Sequence, residues 1–306
     1  MKGLQLCKSY YLEYGKSMIE NEFFEYKDKI AVGLVGHGSE CYGFDDNLSL
    51  DHDFEPRFFM WIDEETEKEI GFKLFRAYSS LPKEYLGFKI KEKSLGGGNH
   101  KGVMTINDFY SSYLPYGKLP TTKLSWLNIS DEFLAECTNG EVFCDNLGAF
   151  SKIRNDVKAN YPYDVTLKKL ASALFYMAQC GQYNYPRCLK REDSVASALY
   201  LSKFISNTIH TCHLLCGEFM PYDKWANKSL KKLPKLSEIS PLIEKLTISP
   251  LDKNNSSLIE EICKIIIDEL IFQGLTSPLG DYVEPYAFSV QNKIKDGNLR
   301  NMPIML

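Results

Sequence analysis

A chain of 306 residues, 44% hydrophobic and 25% charged, has the balance of an ordinary soluble globular protein and can bury one large or two modest cores. Its net charge of −4 and pI near 5.8 argue against long nucleic acid bound by bulk electrostatics, leaving room only for a local basic cleft. No run of about 20 apolar residues occurs and the first residues lack a signal-peptide core, so the expectation is a soluble, cytoplasmic protein with no membrane association.

In chain order, residues 4–24 carry Leu4, Cys7, Tyr11, Met18 and Ile19 in a loose helical pattern. KIAVGLVG (29–36) reads as a short buried strand ending at glycine, and RFFMWID (57–63) as a second. DEETEKEIGFKLFRAYSSLP (63–82) is an amphipathic helix: its acidic first turn suits the helix dipole, and Ile70, Leu74, Phe75 and Tyr78 share the inner face. Leu86, Phe88 and Ile90 alternate with more polar neighbours, which predicts a strand over 85–92. SLGGGNHKG (94–102) reads as a mobile turn before a further element at VMTINDF.

From about residue 130 the period becomes helical: 130–137, 146–161, 163–183 and 191–219 all carry it. In the last, Val195, Leu199, Ile205, Ile209, Cys212, Leu215 and Phe219 form a long apolar stripe, with a start near Ser194. SPLIEKLTISPLDKNNSS (240–257) reads as a linker with Ser-Pro and Pro-Leu turn signals, before a helix ended by Gly274. The fold class is therefore α+β: a mixed sheet with flanking helices over residues 1–125, then a mostly helical domain over 126–306.

The nine cysteines contain no CxxC pair. Cys212 and Cys216, at helical spacing beside His213, could in principle ligate zinc, but buried cysteine is common as a small apolar filler and that reading is preferred. The stretch GHGSECYGFDDNLSLDHDF (36–54) is more specific. A strand ending in Gly36, then Gly38-Ser39 and a helix-like turn, offers backbone N–H groups and a hydroxyl to a phosphate. If Asp51-His52-Asp53 enters a strand, both carboxylates share one face and His52 takes the other. Paired carboxylates beside a phosphate cradle are what Mg²⁺-dependent phosphoryl or nucleotidyl transfer requires.

Gly38-Ser39, Gly43 and Asp51-x-Asp53 resemble the signature of the polymerase-beta-like nucleotidyltransferase superfamily. GSECYGFDDNLSLDHDFEPR, with GQYNYPRCLKRED (181–193) and FMPYDKWANKSLKKLP (219–234), resembles more narrowly a bacterial domain-of-unknown-function family placed in that superfamily, over roughly residues 30–240. The resemblance implies a nucleotidyltransferase-like N-terminal domain and a helical domain that closes the cleft. It implies catalysis by Asp51 and Asp53, which hold Mg²⁺ (or Mn²⁺), and an NTP whose phosphates sit on Gly38 and Ser39. The substrates are then the NTP and an acceptor hydroxyl or amine on a small molecule, an RNA end or a protein. The sequence carries no signal of oligomeric state.

Two departures stand out. Glu40, Cys41 and Tyr42 follow Gly-Ser where relatives often place arginine, and HKGVMTI offers no third carboxylate, leaving Glu92 and Asp108 as the nearest candidates. Arg187, Lys190, Arg191 and Lys224 could supply phosphate charge or form a solvated basic face. Tyr185 and Trp225 could stack on a base or pack the domain, and Glu192 or Asp193 could serve as general base or merely satisfy a helix dipole. His37 could face a phosphate, whereas His52, His210 and His213 read as packed residues. The alternatives are a catalytically reduced nucleotide-binding or interaction protein, and a metal phosphohydrolase built on His52-Asp53.

Overall fold

Among the described residues, four short strands make the main sheet, in the spatial order Val103–Thr105, Phe59–Ile62, Ala31–Leu34 and Glu141–Cys144. The computed structural model describes residues 1–51, 54–90 and 102–306, with Leu50 and Asp51 described for their backbone alone. The chain is α+β and divides into two units: residues 1–120 with 133–160, and residues 121–132 with 161–306.

In the first unit, α1 (Gly3–Tyr10) and α2 (Lys16–Glu22) are joined through a π-helical turn, Tyr11–Gly15. β1 (Ala31–Leu34) and β2 (Phe59–Ile62) follow, both buried throughout. α3 (Glu64–Ser79) starts at Asp63, whose side chain accepts from Thr66 N–H at 2.7 Å, so the helix begins with a side-chain cap and three glutamates in its first turn. Ile70 and Leu74 are buried as the pattern predicts, and Phe75 and Tyr78 are half-buried.

The single strand expected over 85–92 is a hairpin. β3 (Glu84–Tyr85) and β4 (Phe88–Lys89) pair across Leu86-Gly87, with φ of +50° and +82°. Two consecutive positive φ values make the tight turn whose twist matches a hairpin, so the alternation continues while the chain reverses. The turn expected over 94–102 lies outside the described residues up to Lys101. β5 (Val103–Thr105) runs parallel to β2, and α4 (Ile106–Ser111) starts directly from it. α6 (Asp131–Thr138) then leads to β6 (Glu141–Cys144), antiparallel to β1, and to α7 (Ala149–Ala159).

Strand alternation separates the two faces of this sheet. Val32, Met60 and Ile62 join Leu6, Tyr10, Ile19, Ile70 and Leu74 in one core. Trp61 faces the other way, stacked on Phe150 with ring centroids 3.9 Å apart and edge-on to Phe109. Helices thus cover both faces, which is why β1 and β2 are apolar without interruption.

In the second unit, α5 (Lys123–Leu127) precedes α8 (Tyr163–Met177), which packs on α10 (Ser194–Cys216) and α14 (Glu284–Asn292). A π-helical segment, Ala178–Asn184, follows α8 and leads into α9 (Tyr185–Lys190). Within it a Cβ on Gly181 would lie 2.3 Å from the Phe204 ring, so glycine permits that approach. α10 starts after Asp193, whose carboxylate accepts from Ala196 N–H at 2.9 Å.

The stripe predicted along α10 is only partly the buried one. Val195 and Leu199 are 68% and 60% exposed, while Leu201, Phe204, Thr208, Thr211 and Cys212 are buried. The Thr208 hydroxyl donates to the Phe204 carbonyl at 2.8 Å, so this threonine satisfies its polar group within the helix and packs as an apolar residue.

α11 (Asp223–Leu230), α12 (Ile239–Ile248), α13 (Asn255–Phe272) and α15 (Gly297–Asn301) complete the unit. α12 replaces the expected linker: Pro241 falls in its first turn, where the missing N–H has no intrahelical acceptor to lose. α13 ends as expected before Gly274, at φ +67°. All nine cysteines are free, and no described helix is long and apolar enough to cross a membrane.

Candidate functional site

The turn after β1 is built on glycines that no other residue would replace without strain. Gly36 and Gly38 have φ of +117° and +132°, and a Cβ on Gly38 would stand 2.7 Å from both carboxylate oxygens of Glu40. Gly36 is held at both backbone polar groups. Its N–H donates to Asn139 Oδ1 and its carbonyl accepts from Asn139 Nδ2, each at 2.8 Å. That N–H is therefore committed, contrary to the expectation of free donors from Gly36 onward. Among the described residues, the N–H groups of Gly38 and Ser39 have no acceptor. The following turn closes with Gly43 N–H on the Glu40 carbonyl (3.1 Å) and Phe44 N–H on the Ser39 carbonyl (2.8 Å).

Asn139→Ala removes both bonds to Gly36 and is expected to cost about 1–3 kcal/mol, because two partly buried backbone groups lose their partner. Urea denaturation reads this directly; an unchanged midpoint would show that the turn is held without Asn139.

Ser39 Oγ donates to Ser49 Oγ at 3.3 Å, so the Gly-Ser turn and the segment ending at Asp51 are in contact. That segment is not the expected strand. Asn47–Asp51 is a 3-10 turn, and β2 begins only at Phe59. Asp46 explains the difference, since its Oδ1 accepts from Leu48 N–H (3.1 Å) and Ser49 N–H (3.3 Å) and so nucleates a turn. The Asp51 side chain, His52, Asp53 and Glu92 lie outside the described residues. Asp108 is exposed in the first turn of α4, its N–H donating to Thr105 Oγ1 at 2.9 Å.

The charge beneath Gly38 is balanced by a residue the sequence reading passed over. Glu40, 5% exposed, accepts from Arg57 Nη2 at 2.5 Å. Burial disfavours the Arg57 cation, but Glu40 more than offsets this and keeps the guanidinium charged. Arg57 Nε is buried with no partner among the described residues. Two further carboxylates near the turn are also engaged. Asp45 accepts from Gly3 N–H at 3.0 Å, and Glu136 Oε1 lies 2.7 Å from Nδ1 of the exposed His37. Burial raises the thiols of Cys7, to about 12, and Cys41, so neither supplies a thiolate nucleophile at neutral pH.

In the helical unit, Arg187, Lys190, Arg191 and Lys224 are all exposed. Arg187 donates to Tyr183 Oη at 2.9 Å, and Lys224 sits 5.2 Å over the Trp225 ring. Tyr185 is fully buried with its hydroxyl on the Pro250 carbonyl at 2.7 Å, and the buried Trp225 donates to Tyr222 Oη at 2.7 Å. Both rings are packing residues. Glu192 and Asp193 are exposed at the start of α10, where Asp193 caps the helix. His213 is buried with its two ring nitrogens on Ile209 O (2.8 Å) and Ser229 Oγ (2.9 Å), so it has no nitrogen left for zinc. Burial holds its pKa below the usual histidine value.

The strongest polar node of that unit was not legible as a site. Asp131 Oδ1 meets Lys169 Nζ at 2.5 Å and its Oδ2 meets His210 Nε2 at 2.6 Å, while Lys169 also donates to the Ile129 carbonyl at 2.9 Å. Burial pushes the Asp131 carboxyl up, but the bonds from His210 and Lys169 outweigh it and hold the group at about 2. Residues 126–226, about a third of the chain and including this node with the four exposed basic residues, match the model of a family described only as a domain of unknown function (DUF4037). No curated protein and no solved structure matches the chain.

Proposed function

We propose that the protein is a Mg²⁺-dependent nucleotidyltransferase that moves a nucleoside monophosphate from an NTP to a hydroxyl or amine, releasing pyrophosphate. The observation that carries the reading is the Gly38-Ser39 turn, whose two N–H donors have no acceptor among the described residues, joined through Ser39 to the turn that ends at Asp51. Such a nest of donors suits phosphate oxygens. Asp51 and Asp53 are the residues that would hold the metal, as the resemblance implies, since Glu40, Asp45 and Glu136 beside the turn are engaged with other groups. Bound Mg²⁺ (or Mn²⁺) would neutralise the triphosphate. Arg187, Lys190, Arg191 and Lys224 remain candidates for phosphate contact on the strength of their exposure.

A second reading, nucleotide binding without transfer, is favoured by two observations. Arg57 is committed to Glu40 rather than to a ligand, and β5 carries no carboxylate beside β2.

The test is equilibrium binding of each of the four NTPs, with and without Mg²⁺, to the wild type and to Asp51→Asn/Asp53→Asn. Magnesium-dependent binding is expected, weakened at least about tenfold in the variant, since each lost charge contact is worth over ~1 kcal/mol. The variant's melting temperature should be unchanged. A folded wild type that binds no NTP sinks both readings. Binding without transfer of labelled nucleotide to any acceptor selects the second.

A further inference from the structure

Next to the Asp131 node the helical unit opens a cavity of about 470 Å³, within the range of small-molecule sites. Its walls come from residues 127–132, from α8 and from α10, with Met220 at one side. His210 lines it with 24% of its side chain exposed. Asp131 is ionised and can only accept, so His210 Nε2–H is the donor of their bond, and among the described residues the other ring nitrogen, Nδ1, has no partner.

The charges around the cavity decide what it would take. Lys169 and Asp131 neutralise one another at 2.5 Å, and Glu132 adds a carboxylate to the lining. No uncompensated lysine or arginine lines it, which disfavours an anion. The remaining polar side chains are amide and hydroxyl, from Asn128, Ser130, Ser172, Tyr176 and Asn207, set among apolar ones; Ser172 Oγ also accepts from Leu306 N–H at 3.1 Å and Asn207 Nδ2 donates to the Lys203 carbonyl at 2.8 Å. Side chains of this kind both donate and accept, as a ligand of many hydroxyls does.

We propose that this cavity is a binding site for a small neutral polyhydroxylated molecule, with a ligand hydroxyl hydrogen-bonded to His210 Nδ1. Asp131 acts through His210 as a positioning residue: it holds the ring by Nε2–H and leaves Nδ1 for the ligand. The proposal does not depend on the nucleotide reading, since none of its residues belongs to the Gly-Ser turn.

The test is an NMR titration of the full chain labelled at its five histidines, with glucose, maltose and myo-inositol as probes up to their solubility limits, and inorganic phosphate as the anionic control. His210 is assigned by the resonance lost in His210→Asn. A saturable shift of the His210 ring with at least one polyol, while the other histidines stay still, is expected. Ser172→Ala/Asn207→Ala, if folded, should weaken that saturation by roughly fivefold or more, the worth of one hydrogen bond. No polyol-dependent shift, a shift common to all five rings, or a His210 response to phosphate alone overturns the proposal. Equal affinity in a folded double variant overturns the cavity as its location. NTP binding at the Gly-Ser turn has its own readout, so the two ideas fail separately.

Discussion

Lys169→Met is expected to destabilise the protein by about 3–5 kcal/mol, the cost of breaking a buried ion pair from one side. The pair is buried, with side-chain exposures of 8% for Lys169 and 6% for Asp131. Methionine keeps the length and most of the packing of the lysine stem, so the loss isolates the ammonium. Two contacts vanish together: the one to Asp131 at 2.5 Å and the one to the Ile129 carbonyl at 2.9 Å. Asp131 is left with His210 as its only remaining side-chain donor among the described residues. The double variant Asp131→Asn/Lys169→Met should recover part of the loss, because the orphaned charge is then gone.

The pH dependence follows from the carboxyl. Asp131 is held at about 2, below its ordinary 3.8, because the bonds from His210 and Lys169 outweigh its burial. A carboxyl lowered on folding stabilises the folded state above its unfolded pKa. That contribution is fully present above about pH 4 and is lost as pH falls toward 2. It amounts to about 2 kcal/mol in the wild type. In Lys169→Met the decline should begin at higher pH, because the folded carboxyl is held less firmly. Urea midpoints at pH 7 and from pH 5 downward measure both effects. A variant as stable as the wild type at pH 7 would show that Asp131 finds other compensation.

What the sequence reveals and conceals here divides by distance along the chain. α3 is legible because its cap, acidic turn and apolar period lie within one segment, and the end of α13 because Gly274 supplies the positive φ. The Gly38-Ser39 turn is legible for the same reason. β6 is not: four half-buried residues between helices acquire their identity only by pairing with β1, a hundred residues earlier. The supports of the turn share that property, since Glu136 lies in α6 and Asn139 directly after it, about a hundred residues from the turn. The Asp131 node joins residues 131, 169 and 210, and no local pattern marks it. Local competition explains the remaining mismatch. Asp51 sits in residues that read as a strand entrance, but Asp46 binds its own following N–H groups and the chain turns instead.

Arg57→Met should be the most damaging single change in the first unit, again by about 3–5 kcal/mol, because it strands Glu40 as a buried anion. The damage has a particular address. The Glu40 carboxylate lies directly against Gly38, so any movement that lets it reach water must displace the turn whose Gly38 and Ser39 N–H groups have no acceptor among the described residues. Glu40→Gln/Arg57→Met should restore much of the stability, since a neutral amide costs far less to bury than a carboxylate. The two variants also separate stability from ligand binding. With Arg57 gone, the charge of Glu40 repels an incoming phosphate, whereas in the double variant that repulsion is absent. If the turn holds phosphate, Mg²⁺-NTP affinity measured at a temperature where both variants are folded should fall in Arg57→Met and return in the double variant. Affinity that falls equally in both would mean that Arg57 itself touches the ligand. Affinity unchanged in both would move the nucleotide away from the Gly-Ser turn.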